Sequence, residues 1–91
     1  MNQEPYIIIE DFCQCYSAEV SFLLELNENG MIELTSIDTS YFIHHDDISH
    51  VEKYIHLHYD LGINLEGLEA ISHLLEKIEN LQNEIRQIRL G

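Results

Sequence analysis

The stretch at residues 64–90 reads NLEGLEAISHLLEKIENLQNEIRQIRL. Its apolar residues recur at alternating spacings of three and four, and neither proline nor glycine interrupts it after Gly67. Asn64 suits the N-cap of a helix, with Glu66 in the first turn near the positive end of the dipole. The pattern predicts a long helix with an a/d seam over almost three heptads. The seam residues are Ile71, Leu74, Ile78, Leu81, Ile85 and Ile88.

The width of this apolar stripe changes along the helix. Leu68 and Leu75 widen it near its start, which predicts that this end packs on a folded head. From Glu79 onward the stripe narrows to strict a/d positions, which is typical of a coiled-coil arm. We therefore expect a homodimer formed through the seam. The alternative is an ordinary core helix that packs within one chain.

The charges beside the seam allow two orientations of the dimer. Lys77 and Glu84 both fall at g positions, and Arg89 falls at e. An antiparallel pair places g opposite g, so that Lys77 faces Glu84 of the other chain. A parallel pair matches Glu84 with Arg89 instead. The sequence leaves both orientations open.

Upstream of the long helix, the first thirty residues predict a helix pair after a short extended run at 7–9. Ser17 suits the N-cap of the second helix, and Gly30 suits the left-handed position after its end. The apolar face of the first helix consists of Ile9, Phe12, Cys13 and Tyr16. The buried side of the second consists of Val20, Phe22, Leu23 and Leu24.

After the helix pair, the spacing of the apolar residues changes from a helical to a strand-like period. Residues 31–34 and 41–43 predict two short strands, with a turn at 35–40 between them, which together have the form of a wing. Asp46 or Asp47 then caps a third helix, which Gly62 closes. Its buried positions are Ile48, Val51, Tyr54 or Ile55, His58 and Leu61. The predicted fold is mainly α, with a winged helix-turn-helix head at residues 1–62. Residues 63–91 form the C-terminal helix, which packs on the head and extends as a coiled-coil arm.

Charge is the most informative property of the chain. Its formal net charge is −13, and its only basic residues are Lys53, Lys77, Arg86 and Arg89. None of them lies in the first 52 residues, which carry eleven carboxylates. A nucleic-acid surface needs Lys or Arg against the phosphates, so this head is not expected to bind DNA or RNA. An acidic surface can instead steer a basic protein partner, although acidity that only keeps the protein in solution is the alternative.

Other classes of function find little support. Cys13 and Cys15 lack the spacing and the second pair typical of zinc sites, so no metal or cofactor is predicted and free thiols are expected. His56 and His58 lie two apart on a helix and point to different faces. The sequence has no motif of a nucleophile, a phosphate-binding loop or an acid–base pair, so we do not expect the protein to be an enzyme. No apolar run is long enough for a membrane span, and the N-terminus is not a secretory signal, so a cytoplasmic location is expected.

The order of these features resembles a known family. Phe12-Cys13, Tyr41-Phe42-Ile43 with Asp46-Asp47, and the Gly30-to-Glu33, Leu57-to-Leu61 and Asn64-to-Leu68 segments occur in the order seen in small chaperone modulators of the CbpM type. Those proteins have a head similar to the winged helix-turn-helix of MerR proteins. The resemblance covers nearly the whole chain and rests on the ungapped order of these segments.

The resemblance implies a partner and a surface. It implies binding to the J-domain of a DnaJ-like co-chaperone, which presents a basic helix to a DnaK-type chaperone, and inhibition of their joint work. The second helix takes the place that meets DNA in MerR relatives, but here it and the wing carry carboxylates and no base. The expected partner-binding residues are Glu19, Glu25, Glu28, Asp46, Asp47 and Glu52. The alternative is a MerR-type transcription regulator or a subunit of one.

Overall fold

The computed structural model describes residues 5–90, and four α-helices with a three-stranded antiparallel sheet account for most of them. The elements in chain order are β1 (Tyr6–Ile8), α1 (Ile9–Tyr16), α2 (Val20–Glu28), β2 (Thr35–Ile37), β3 (Ser40–His44), α3 (Ile48–Ile55) and α4 (Leu65–Leu90). The predicted mainly α fold, with a winged helix-turn-helix head and a long C-terminal helix, is confirmed. The outer ends of the two predicted units, residues 1–4 and 91, lie outside the described residues.

The turn between α1 and α2 differs from its prediction. Ser17 does not cap α2: it has a left-handed backbone (φ 54°) and ends α1, where the Ala18 N–H donates to the Cys13 carbonyl at 2.9 Å. Glu19 is the N-cap of α2, without a capping bond from its side chain. The predicted core face of α1 is largely confirmed, because Ile9, Phe12 and Cys13 are buried, although Tyr16 is exposed. On α2 the buried residues are Phe22, Leu23 and Leu26.

The wing is shorter and starts later than predicted. Met31 and Ile32 do not form a strand; they lie in an irregular segment, and both side chains are buried in the core. The first strand of the wing is β2, and only two residues separate it from β3. Asp38 makes this tight turn with a positive φ of 57°, which Asp tolerates better than most residues. The short extended run at the N-terminus completes the sheet, since β1 pairs with the other side of β3.

The start of α3 agrees with its prediction only in part. Asp47 is the N-cap residue of α3, one of the two predicted choices, but its side chain makes no capping bond. The side-chain cap belongs to the preceding 3-10 turn, where the Nδ1 atom of His44 accepts the Asp46 N–H at 3.0 Å. A 3-10 turn at His45–Asp47 leads directly into α3. The two aspartates therefore lie within helical backbone instead of ahead of it.

A π-helical turn at His56–Asp60 follows α3, and we call it the π turn. It widens the helix by one residue, and the Leu61 N–H donates to the carbonyl of His56, five residues back. The extra residue shifts the positions that follow. Leu61, predicted to be buried, is 59% exposed for this reason, whereas Gly62 closes the segment with φ +69° as expected.

The start of α4 agrees with its prediction. The side chain of Asn64 accepts the Gly67 N–H at 2.8 Å, which caps the helix. A glycine is favoured at position 67, three residues after the Asn64 cap, because a Cβ at Gly67 would lie 2.7 Å from the Ile63 Cγ2 atom. Leu68 is completely buried and belongs to the same hydrophobic core as α1, α2 and α3. The first turns of α4 thus pack on the head, while residues 76–89 are all exposed.

Candidate protein-interaction surfaces

The three carboxylates predicted on the second helix are all exposed, but they do not form one cluster. Glu25 and Glu28 are three residues apart and share the outward face of α2. Glu19 lies at the opposite end, as the N-cap, roughly 13 Å along the axis from Glu28. A partner that contacts all three must lie along the full length of α2.

The second predicted set lies at the beginning of α3. Asp46 is highly exposed and Asp47 is partly buried, both in the 3-10 turn. Glu52 has a different environment, because its carboxylate accepts the Tyr16 hydroxyl at 2.5 Å and so connects α3 to the end of α1. That hydrogen bond to a carboxylate raises the pKa of Tyr16. Glu52 therefore has a structural contact in addition to its predicted role.

The N-terminus of α2 is held by a contact that the sequence patterns did not reveal. The hydroxyl of Tyr59, in the π turn, accepts the Glu19 N–H at 2.9 Å, across a separation of 40 residues. The neighbouring His58 stacks on Phe22 of α2, with ring centroids 4.3 Å apart. Its Nδ1 bonds the Ile63 carbonyl at 2.8 Å. The π turn thus positions α2 from outside the helix pair, and no local pattern indicates this.

The acidity of the head is not neutralised from within. Throughout residues 5–90, the two ion pairs both use histidine: His56 with Asp60 at 2.7 Å and His44 with Asp46 at 3.6 Å. Lys53 is the one Lys or Arg among the described residues of the head. It is exposed on α3 and takes part in neither of these two ion pairs. The remaining carboxylates of the described head are free to act on an external cation.

The predicted seam of α4 presents apolar side chains to solvent. Its exposed fractions are 58% for Leu74, 51% for Ile78, 57% for Leu81, 54% for Ile85 and 79% for Ile88, whereas Ile71 is half-buried beside the head. Leu68, which is buried in the core of the head, lies roughly 120° around the helix from the centre of the exposed part of the seam. The seam and the contact with the head are therefore separate faces of one helix.

A concave region beside α4 was not predicted. Two adjoining depressions, of about 270 and 320 Å³, share Gly30, Met31 and His50. One continues between α3 and residues 69–79 of α4, which we call the root of α4. The other continues towards Glu33 and Asp47. Residues from three separate parts of the chain meet here, so that periodicity along any one segment gives no sign of it.

The cysteines and histidines do not converge on a metal site within residues 5–90. Both thiols are free; Cys13 is buried in the core and Cys15 is exposed. Burial, and secondarily the charge of Glu10, raises the pKa of the Cys13 thiol. Over the same described range, none of the helices has the length and apolar character needed to cross a membrane.

Comparison with known proteins agrees with this architecture. The family model described as MerR HTH family regulatory protein matches residues 7–90, which is nearly the whole chain. Searches of curated proteins and of solved structures give no match. The match covers the helix pair, the wing, α3 and the long helix together, so it concerns the complete arrangement and not one motif. The chain therefore belongs to the MerR helix-turn-helix family of regulatory proteins.

Proposed function

We propose that this chain is a non-catalytic regulator that binds the J-domain of a DnaJ-like co-chaperone and inhibits its work with a DnaK-type chaperone. The observation that carries the proposal is the head itself. It has the helix-turn-helix architecture of a regulator but offers carboxylates, without internal Lys or Arg partners in residues 5–90, where a DNA-binding relative needs bases. The resemblance to chaperone modulators supplies the identity of the basic partner.

Electrostatics defines how such a surface should behave. Exposed carboxylates raise the rate of association with a cationic partner more than they slow dissociation. Each exposed pair contributes only about 0.2–1 kcal/mol, so single substitutions on α2 will have small effects. The surface must therefore be tested with several substitutions at once and at more than one ionic strength.

The decisive experiment measures binding of the full chain to an immobilised J-domain by surface plasmon resonance at two salt concentrations. The variant Glu19→Gln/Glu25→Gln/Glu28→Gln should associate more slowly and show a flatter salt dependence. A matched control removes three head carboxylates outside α2, with Glu10→Gln, Asp11→Asn and Asp38→Asn. Salt-independent binding, or equal effects of the two variants, would show that the α2 face is not the contact.

The seam of α4 supports the second part of the proposal, a homodimer. Its exposed apolar side chains are continuous for four turns and face away from the head. An antiparallel arrangement has the better charge pattern, because Lys77 then meets Glu84 on both sides of the pair. It also separates the two acidic heads. A parallel pair would bring the heads together.

The second candidate function is a MerR-type transcription regulator, and the family match favours it. It requires that the head approach DNA with Lys53 as the one base among its described residues. A gel-shift assay at low salt, where electrostatic attraction is screened least, separates the two candidates. We expect no sequence-selective complex at micromolar protein, and a selective, salt-sensitive complex would favour the second candidate.

A further inference from the structure

The two depressions beside α4 form one continuous concave surface, which we call the junction trough. It lies where the loop after α2 and the start of α3 meet the root of α4. The shared residues Gly30, Met31 and His50 join its two parts. It lies between the head and the root of α4, and neither the α2 face nor the dimer seam includes it.

The shape of the trough is fixed by bonds and packing. His50 Nε2 donates to the Met31 carbonyl at 2.8 Å, which holds the loop against α3. Gly30 adopts φ +74°, a conformation that lets the loop turn sharply at the end of α2. The floor contains apolar side chains, since Leu75 is half-buried and Met31 and Tyr54, both almost completely buried in the hydrophobic core, lie beneath it. An apolar side chain from a partner would therefore find a preformed surface.

The rim of the trough is strongly acidic. Two carboxylates lie at one end and three lie along α4; they are Glu33, Asp47, Glu69, Glu76 and Glu79. Neither Lys nor Arg lines either depression. The described ion pairs involve none of these five carboxylates. A ligand that fits must combine apolar groups for the floor with several positive charges for the rim.

We propose that the junction trough is the docking site for a cationic amphipathic segment of a partner protein, with apolar side chains on the floor and Lys or Arg on the rim. This inference rests on the proposed function and deepens it, because it places the basic partner at the head–arm junction. It also adds rim carboxylates on α4 to the contacts expected on the head.

The geometry of α4 separates this site from the dimer seam. Glu76 lies two residues from both Leu74 and Ile78, and is therefore about 180° around the helix from that part of the seam. A second copy of the chain on the seam leaves the trough open. One dimer then offers two troughs, one for each head.

The test uses the full chain and a fluorescein-labelled, 16-residue helical peptide of leucine, alanine and lysine, with leucine on one face and lysine around it. An analogue with glutamate in place of lysine is the control peptide. The trough variant Glu69→Gln/Glu76→Gln/Glu79→Gln should raise the Kd of the lysine peptide about fivefold or more. The α2 variant Glu19→Gln/Glu25→Gln/Glu28→Gln, with the same change of charge, should alter it less than about twofold. Equal losses would mean that the peptide responds only to net charge, and would overturn the proposal.

A second measurement reports on position and is independent of charge. The ¹³C-labelled methyl signal of Met31, assigned with Met31→Leu, should shift when the lysine peptide is added and stay unchanged with the glutamate peptide. An unchanged signal at saturation would also overturn the site. The same variants, measured against the J-domain, separate the two proposals. Binding that ignores the trough variant refutes the trough alone, whereas a peptide that binds the trough while the J-domain fails to bind refutes the proposed partner.

Discussion

Ile78→Glu tests whether the arm of α4 joins two chains. Ile78 is in the middle of the seam and is 51% exposed, with Leu74 one turn before it and Leu81 one turn after it. Every residue from 76 to 89 is exposed, so the substitution removes no contact within the head. We expect a folded monomer in place of a dimer.

The magnitude follows from the exposed fraction. Burying a whole Ile side chain contributes about 1.5–3 kcal/mol, so covering the exposed half of Ile78 contributes roughly 1 kcal/mol in each chain. The variant loses this contribution twice in a dimer and also forces two carboxylates into an apolar seam, at about 1 kcal/mol or more each. The combined loss of about 4 kcal/mol corresponds to roughly three orders of magnitude in Kd.

Sedimentation equilibrium across the micromolar range measures this change, with circular dichroism as the check that the head remains folded. Asn83→Glu is the matched control, because it adds the same charge at an exposed position of α4 away from the seam. It should remain dimeric. A wild-type chain that is monomeric over the whole range, or two variants that dissociate alike, would refute the reasoning.

Three further predictions concern the stability and reactivity of the head. Leu68→Ala should lower the free energy of unfolding by about 2–5 kcal/mol in urea titration, because this completely buried side chain connects α4 to the core; a loss below 1 kcal/mol would contradict that packing. Gly30→Ala should cost about 1–2 kcal/mol in the same assay, from its positive φ alone, since a Cβ there meets nothing within 4 Å. A thiol reagent should label Cys15 rapidly and Cys13 only on unfolding, because burial raises the pKa of Cys13 and shields it; equal rates in the folded protein would refute this.

The features predicted correctly are those encoded over a few residues. The long α4 and its Asn64 cap follow from a sustained period and a local side-chain bond. The errors at Ser17 and at the start of α3 have a common cause: polar residues beside a helix can serve several local roles, and Ser17 ends one helix instead of beginning the next. Met31 was assigned to a strand because a short apolar run does not distinguish a strand from an irregular loop that fills the core.

The features missed depend on residues that are distant in sequence. The Tyr59 hydroxyl bonds the N-terminus of α2 from forty residues away, and the junction trough is formed by the loop after α2 together with α3 and α4. The π turn adds one residue to a helical period and so exposes Leu61. The charge pattern and the hydrophobic period of the sequence do not predict these three features. Each feature arises only when the elements pack together.

The contact between Tyr59 and Glu19 also has a consequence for the order of folding. Helix α2 lies in the first third of the chain, but the groups that complete its first turn arrive only with the π turn. Contacts of such long sequence separation form late, after the entropy of closing the intervening loop has been overcome. A nascent chain that ends before Tyr59 therefore lacks the bond to the Glu19 amide at the N-cap of α2, and it lacks a complete π turn against Phe22. The N-terminus of α2 is complete only after the π turn has been synthesised.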